Sequence, residues 1–240
     1  MPGAKTADNG TGSDAMRTAY RSVSDLPAEI PVFPLAGAIL LPRATMPLNI
    51  FEPRYLAMVD AALRGDRVIG IIQPAGEGGA TGSPQAPDAP LNRVGCAGRI
   101  TGYQEIEDGR LLIVLTGLAR FAPSIDRSQN APYRTFRADY LEFANDLVAG
   151  AGEEEVDRDG LLKVLRKFLE GRQATVDWKQ ISSTGTEQLV NWLAIVSPFG
   201  SKEKQALLEA PTLKARAETL VTLAEMELAS SGGGGGSRVQ

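Results

Sequence analysis

The sequence predicts an α+β protein in which a β-rich region precedes a helical region. Residues 27–145 contain short β-branched runs that are separated by proline, glycine and Asp-Gly turn signals. Residues 146–229 carry apolar side chains at helical spacing. Residues 1–26 are polar and aperiodic, and residues 230–240 contain five consecutive glycines. We therefore predict a disordered leader, a β-rich domain, a helical domain and a flexible tail.

The β-rich region is expected to form several strands around one hairpin. Asp108-Gly109 separates two long β-rich runs, and an Asp-Gly pair supplies the positive φ that a tight hairpin turn requires. Prolines and glycines bound the other runs. The predicted strands are residues 30–33, 38–41, 46–50, 68–72, 94–106, 110–121 and 133–143.

One helix is predicted between the third and fourth strands. Glu52 and Pro53 mark its start, because proline suits the first helical position, where its missing N–H is harmless. Apolar residues from Tyr55 to Leu63 fall on one helical face, and Gly65 is placed to end the helix.

The helical region contains three apolar stripes. The first runs from Leu161 to Leu169, and the second includes Leu189, Trp192, Leu193 and Val196. Thr184 and Glu187 have the spacing of a capping box before the second stripe. Ser201 is placed to cap a short helix. Pro211-Thr212 opens the last helix, whose aligned apolar residues are Leu213, Ala217, Leu220 and Ala224. We expect these stripes to pack on one another and on the β-rich region.

Composition excludes several kinds of chemistry. The chain has no histidine, which rules out Ser-His-Asp and Cys-His catalysis and the usual Cys/His zinc sites. Its single cysteine, Cys96, lies in a strand pattern and is interpreted as a small buried hydrophobe. The net charge of -4 does not favour nonspecific binding to nucleic acid. No secretory or membrane-spanning segment is recognisable, so a cytoplasmic location is expected.

A long loop at residues 75–92 is one candidate for a functional segment. It contains a glycine cluster, but the Lys-Ser/Thr pair and helix of a phosphate-binding loop do not follow. We interpret it as an insertion. No Gly-x-Ser-x-Gly elbow is present either, so the sequence predicts no catalytic residue, metal site or cofactor.

Several motifs together resemble one family, the LON substrate-binding domain of Lon proteases. They are IPVFPL, LLP, MPLNIFEPRY, VGCAGRITGYQEIEDGRLLIVLTGLARF and NWLAIVSPFGSKEKQALLEAPTLKARAETL. The resemblance implies a PUA-like β-barrel followed by an α-helical bundle. The NIFEPRY form is similar to stand-alone bacterial members that lack the ATPase and protease modules. The family offers no catalytic residues to transfer to this chain.

The resemblance favours a noncatalytic module that binds unfolded or degron-bearing protein segments, or a protein partner. The candidate contacts are residues near the strand–helix junction: Phe33, Phe51, Glu52, Arg54 and Tyr55. Two alternatives stay open. A PUA-like fold suggests RNA binding, although eleven arginines nearly balance twelve acidic residues over residues 27–145. The Glu52/Arg54 pair suggests an enzyme, and a cap with no adjacent cleft would argue against it.

Overall fold

A computed structural model describes residues 20–76, 89–106, 108–128, 131–171 and 178–232, and it confirms the α+β class. Within these ranges a six-stranded mixed sheet forms most of the first region, and five α-helices follow the last strand. No helix in the described ranges is both long enough and apolar enough to cross a membrane.

The sheet has the strand order β2-β5-β4-β3-β1-β6, and β6 also pairs with β5. Strands β1 and β3 are parallel, and the other pairs are antiparallel. Five strands are therefore hydrogen-bonded in a closed circuit, and β2 extends the sheet beyond β5. The strands are β1 (Glu29–Pro34), β2 (Thr45–Ile50), β3 (Val68–Pro74), β4 (Leu91–Glu105), β5 (Leu111–Asp126) and β6 (Arg134–Asp139).

The predicted hairpin and first helix are confirmed. Strands β4 and β5 flank the Asp108-Gly109 turn, where Gly109 has φ of 80°. Helix α1 (Pro53–Arg64) has Glu52 at its N-cap and Gly65 at its C-cap. Its buried face packs against β1 and β3, which joins this helix to the strand circuit.

The helices after the strands are α2 (Arg158–Gly171), α3 (Trp178–Ser183), α4 (Thr186–Val196), α5 (Ser201–Glu209) and α6 (Leu213–Gly232). Helix α6 packs against α2, α4 and α5, and α5 also contacts β4. The apolar stripes thus pack on one another and on the sheet, as expected. Helix α6 begins after Pro211-Thr212, where the hydroxyl of Thr212 accepts a hydrogen bond from the N–H of Ala215 at 3.0 Å.

One hydrophobic core joins the two regions. Buried Leu115 of β5, Leu193 of α4 and Leu207 of α5 belong to the same cluster. A second cluster lies within the strand circuit and includes Phe121 and Tyr140. The strand region and the helical region therefore share one core, and residues 145–146 lie within the 3₁₀ helix Leu141–Leu147.

Residues 38–41 do not form the predicted strand. Leu40 and Leu41 are fully buried in a segment that crosses the sheet instead of pairing with it. A Cβ atom at Gly117 would clash with the carbonyl oxygen of Leu41, so this crossing requires glycine in β5. The apolar pattern of a buried strand also fits a buried crossing segment, because both hide their side chains.

Strand β6 is shorter than residues 133–143. The carboxylate of Asp139 accepts a hydrogen bond from the N–H of Leu141 at 3.0 Å, which turns the chain out of the sheet. A 3₁₀ helix, Leu141–Leu147, follows. It brings Asp146 to the junction between the strands and the helices.

The ends of the described chain extend into the predicted leader and tail. Residues 23–25 form a 3₁₀ turn in which the carboxylate of Asp25 accepts from the N–H groups of Arg21 and Ser22, each at 2.8 Å. Leu26 is buried in the second cluster. These contacts give residues 20–26 a structure, contrary to the leader prediction. Helix α6 likewise includes residues 230–232. The rest of the leader and tail, and residues 77–88 of the loop, lie outside the described residues.

Candidate binding groove at the strand–helix junction

A groove of about 760 Å³ lies between the start of β2 and helices α3 and α4. We call it the groove. Most of its wall is apolar, and a few polar side chains complete it. Its lining residues are Pro42, Arg43, Ala44, Thr45, Pro47, Ile181, Thr184, Glu187, Gln188, Leu189, Asn191, Trp192, Ile195 and Val196.

Helix α4 supplies one wall because its apolar surface is wider than the core can cover. Leu189 and Leu193 are buried, whereas Trp192 is 45% exposed and Val196 is 50% exposed. Trp192 and Val196 are four residues apart, so they lie on one face of the helix. That face borders the groove and leaves a large aromatic side chain in contact with solvent.

Strand β2 supplies the opposite wall. Within the described residues β2 pairs with β5 alone, so its other side is an edge of the sheet. Pro47 fits an edge strand, because proline has no N–H to donate to a neighbour. Pro47 lies opposite Val114 of β5, and Asn49 lies opposite Leu112. Val114 and Leu112 are partly exposed. We call this continuation of the groove, Pro47 with Leu112 and Val114, the outer sheet face.

An ion pair joins the two walls. The Nε atom of Arg43 lies 3.0 Å from each carboxylate oxygen of Glu187, and Nη2 of Arg43 also contacts that carboxylate. Arg43 donates from Nη1 to the carbonyl oxygen of Asp146 at 2.5 Å, and the N–H of Gly150 donates to Glu187 at 2.9 Å. Among the described lining residues Arg43 is the one basic side chain, so its pairing leaves the groove without a basic surface.

The capping box predicted for α4 is wrong. The N-cap is Gly185, and the carboxylate of Glu187 is bound to Arg43 instead of returning to the N-cap N–H. The N–H of Glu187 donates to the carboxylate of Glu153 at 2.7 Å. Glu153, which is distant in sequence, therefore caps the helix. The carboxylate of Glu187 is left to pair with Arg43, which precedes β2.

A second, smaller cavity of about 140 Å³ lies behind this ion pair. We call it the arginine cavity. In it, Arg120 of β5 forms a two-point ion pair with Asp146, with Nε–Oδ2 and Nη2–Oδ1 distances of 2.8 Å. Arg120 also donates to the carbonyl oxygens of Leu208 at 3.2 Å and Ala210 at 2.6 Å. The arginine of a strand thus satisfies the C-terminal carbonyls of α5.

Arg216 of α6 extends the same network. Its Nε donates to the carbonyl of Leu207 at 2.9 Å and its Nη1 donates to Oδ1 of Asn191 at 2.8 Å. Asn191 in turn donates to the carbonyl of Pro42 at 3.2 Å. Burial and the neighbouring charge of Arg120 lower the pKa of Arg216 to about 10. The network connects the segment before β2 with three helices.

The five predicted contact residues lie together, away from the groove. Phe33 and Tyr55 are 8% and 4% exposed, and their ring centroids are 4.3 Å apart in the core. Arg54 stacks over Tyr55 at 4.5 Å and pairs with Glu52 at 2.9 Å. Phe51 is 63% exposed. A contact role for these residues stays a prediction.

Helical spacing alone does not separate Trp192 and Val196 from the buried stripe of α4. One signal was present: Leu189, Val190, Leu193 and Ala194 already form a complete buried face. Trp192 and Val196 lie beside that face, and a stripe this wide leaves one border exposed. Arg43 and Glu187 are 144 residues apart, so local patterns could not pair them.

Two further groups, Cys96 and the Glu52/Arg54 pair, lie outside the groove. Cys96 is fully buried, and its burial raises the pKa of its thiol, which disfavours the nucleophilic thiolate. Glu52 is the N-cap residue of α1 and is paired with Arg54, and neither residue lines the groove or the arginine cavity. The Glu52/Arg54 enzyme hypothesis therefore has no structural support.

A mostly apolar concave surface with a few polar groups is the usual form of a ligand-binding site. The family model of the ATP-dependent protease La (LON) substrate-binding domain matches residues 29–225. The chain belongs to this family, as the motifs indicated.

Individual relatives agree with the family match. The chain is 29% identical to Lon protease 2 of Myxococcus xanthus over 229 residues, which cover 89% of this chain and 26% of that protein. It is 28% identical to the Lon protease of Anaeromyxobacter dehalogenans over 205 residues, or 83% of this chain and 23% of the relative. The chain thus spans about a quarter of the length of these proteases.

Solved structures share the fold. The Lon N-terminal domain protein from Xanthomonas campestris matches with a TM-score of 0.58 and 22% identity, over 82% of this chain and 98% of that one. The N-terminal domain of Mycobacterium avium complex Lon protease matches with a TM-score of 0.60 and 18% identity, with the same coverages of 82% and 98%. At these identities the structures support the architecture alone.

Proposed function

We propose that this chain is a noncatalytic module that binds extended apolar segments of unfolded proteins in the groove. The observation that carries this proposal is the exposure of Trp192 and Val196 beside Pro47 in a cavity of about 760 Å³. Cavities of this size hold several side chains. Tryptophan is enriched among residues that dominate protein-binding energy, because it buries a large area at low entropic cost.

The groove favours an uncharged apolar segment over a nucleic acid. Its arginine is neutralised by Glu187, whereas binding to a phosphate backbone relies on clustered, available cations. The outer sheet face continues the apolar surface beyond Pro47. An extended chain that lies across both surfaces could place successive side chains against Trp192 and Val114. The RNA-binding alternative has no comparable support in the groove.

The family supports the same class of ligand. Its description names substrate binding, and the matched residues contain the groove and both of its walls. We propose that this chain supplies recognition alone and that hydrolysis of ATP or peptide bonds is not its activity. The closed circuit of strands supports a PUA-like β-barrel, and the packing of α6 against three helices supports a helical bundle.

Binding of a fluorescent peptide tests the proposal. The probe is an extended peptide with alternating Leu or Phe and polar residues, and a peptide with Ser at every apolar position is the reference. We expect the protein to raise the anisotropy of the apolar peptide alone. The double variant Trp192→Ser/Val196→Ser should weaken binding by about tenfold, because it removes two apolar contacts.

A matched control separates the groove from general surface hydrophobicity. Met226 of α6 is 63% exposed and does not line the groove. Met226→Ser should leave the affinity unchanged. Equal affinity of the wild-type protein for the apolar and the serine peptide would refute the proposal, as would equal losses in the groove variant and the control.

The surface that includes Phe51, Glu52 and Arg54 is proposed as a second contact for longer segments. Phe51 follows the last residue of β2 and lies about 13 Å along the strand from Pro47. Phe51→Ser should weaken the binding of a long peptide. It should not change the binding of a short peptide that fills only the groove. Equal effects on both lengths would show that Phe51 acts on the groove indirectly.

A further inference from the structure

We propose that the segment bound in the groove joins the sheet as an additional strand along the free edge of β2. Its backbone is then recognised as well as its side chains. This inference rests on the proposed function and adds to it how the segment is held. It follows from three features: outward backbone groups on β2, their position beside the groove and the lack of charge along this strand.

The register with β5 decides which backbone groups of β2 point away from the sheet. Opposite residues of an antiparallel pair alternate between a hydrogen-bonded pair and a pair without hydrogen bonds. The N–H of Gly117 donates to the carbonyl oxygen of Ala44 at 2.9 Å, so the alternation begins with a bonded pair just before β2. The residues whose backbone groups point away from β5 are therefore Thr45, Pro47 and Asn49.

These outward groups are open to a further strand. Within the described residues, the backbone N–H and carbonyl groups of Thr45 and Asn49 and the carbonyl of Pro47 make no hydrogen bond. All three residues are exposed. Proline has no N–H, so the edge offers two donors and three acceptors. Addition of an extended peptide to a sheet edge uses groups of this kind.

The groove borders the same edge. The β2 residues that line it are Thr45 and Pro47, whereas Met46 and Leu48, whose backbone groups face β5, do not. An added strand lies about 4.8 Å from its neighbour. In an antiparallel addition, the side chain opposite Pro47 lies on the same face of the sheet as Pro47. Alternate side chains of the segment therefore enter the groove that Trp192 also lines.

The charge at this edge matches an uncharged segment. Native edge strands are often protected by lysine or other charged side chains, but β2 has the sequence TMPLNI and carries no charge. Arg43, which precedes β2, is already paired with Glu187. The edge therefore suits an extended, uncharged apolar segment of an unfolded protein, with no proline at the positions whose N–H groups face β2.

A second copy of the chain fits this edge less well. Strand β2 has six residues and is about 20 Å long. Two such edges provide a small contact beside the roughly 1,600 Å² that a standard protein interface buries. Two copies paired about Pro47 also lack a donor on both strands, whereas an unfolded segment supplies its own N–H groups throughout.

N-methylated peptides test the proposal on the wild-type protein. The parent is the alternating apolar peptide described above. One derivative carries N-methyl groups on the backbone nitrogens of its apolar residues, and the other carries the same number on its polar residues. We expect binding at least about tenfold weaker for the first derivative and nearly unchanged for the second, measured by anisotropy. The reason is that only alternate N–H groups of a strand face its neighbour.

Each outcome of this comparison is decisive. A loss confined to the second derivative would also support strand addition and would identify a parallel strand, in which the other set of N–H groups faces β2. Equal affinities or equal losses for the two derivatives would overturn the proposal and leave the groove as the peptide site. No binding of the parent peptide would overturn it together with the proposed function.

Thr45→Pro tests the edge from the side of the protein. It removes an outward N–H and keeps the hydrogen bonds between β2 and β5. Thr45→Val is the reference, because it changes the side chain and keeps the N–H. The proline variant should bind the parent peptide about fivefold more weakly than the valine variant. Equal affinities of the two folded variants would overturn the proposal. If Thr45→Pro does not fold, the N-methylated peptides decide alone.

Sedimentation velocity tests a second copy of the chain as the occupant. We expect the wild-type protein to be a monomer at the concentrations used for peptide binding. A dimer that Thr45→Pro dissociates and the parent peptide does not would assign the edge of β2 to a second copy and overturn the proposal.

Discussion

The junction between strands and helices has two unlike sides. On one side, Trp192 and Val196 face the groove and remain about half exposed. On the other side, Arg120, Asp146 and Arg216 are buried in a charged network, with exposures of 4%, 9% and 4%. The Arg43–Glu187 ion pair lies between them and borders both cavities.

The contrast shows how one interface can both hold the protein together and present a binding surface. Buried charges must keep their partners, since an unpaired buried charge is strongly unfavourable. Exposed apolar side chains carry little cost in the free protein and release water when a ligand covers them. Stability and recognition therefore depend on different residues, and substitutions on each side should separate them.

The largest expected effect on stability comes from disrupting the buried charged network. Arg120→Ala leaves Asp146 buried without its cationic partner, although the backbone N–H of residue 120 still donates to it, and removes donors to Leu208 and Ala210. We expect the free energy of unfolding to fall by about 3–5 kcal/mol. Urea unfolding followed by circular dichroism measures this. Arg120→Lys should lower the free energy of unfolding by a smaller amount, because lysine keeps the charge but not the two-point geometry.

An exposed ion pair provides the control for Arg120. Arg64 pairs with Asp60 on α1, and their side chains are 74% and 55% exposed. Arg64→Ala should leave the unfolding midpoint nearly unchanged, because solvent screens such pairs. Similar losses in Arg120→Ala and Arg64→Ala would contradict the distinction between the buried network and ordinary surface pairs.

Sequence patterns predicted those parts of the fold whose signals are local. Glu52-Pro53, Asp108-Gly109 and Pro211-Thr212 each act within a few residues, and the structure places a helix start, a hairpin turn and a helix start there. The segment at residues 38–41 has the apolar pattern of a strand, but its burial depends on a close approach to Gly117, far along the chain. An apolar pattern indicates that a segment is buried, but it does not indicate which part of the chain covers it.

The site was harder to predict because its geometry is nonlocal. The predicted contacts lie near the strand–helix junction in the sequence, and two of them, Phe33 and Tyr55, are buried in the core. Arg43 and Glu187 meet across 144 residues, and Arg120 reaches carbonyls of α5 88 and 90 residues away. The exposure of Trp192 depends on which face of α4 the neighbouring helices cover, and that is set by tertiary packing.

An intermediate effect is expected where the two sides meet. Glu187→Gln removes the charge that pairs with Arg43 and weakens the acceptor for Gly150. Since the Arg43 side chain is 31% exposed, we expect a loss of about 1–2 kcal/mol in the free energy of unfolding, measured by urea titration. Peptide affinity should also fall, because Arg43 and Glu187 shape the groove.

Glu154→Gln is the matched control for Glu187→Gln, because Glu154 is exposed and lies outside both cavities. It should change neither stability nor affinity. A Glu187→Gln protein that keeps wild-type stability would show that the Arg43 ion pair does not hold the two walls together.

The smallest effect on stability is expected on the apolar side. Val114→Ser on the outer sheet face should change the free energy of unfolding by no more than about 0.5 kcal/mol, because the side chain is 37% exposed. It should nevertheless weaken the apolar peptide by about threefold if the bound segment continues from the groove across β2 and β5. Ile125, 45% exposed near the far end of β5, is the matched control for loss of a β-branched residue. Equal peptide affinities for Val114→Ser and Ile125→Ser, measured by anisotropy, would confine binding to the groove and show that the exposed apolar surface of the strands takes no part in recognition.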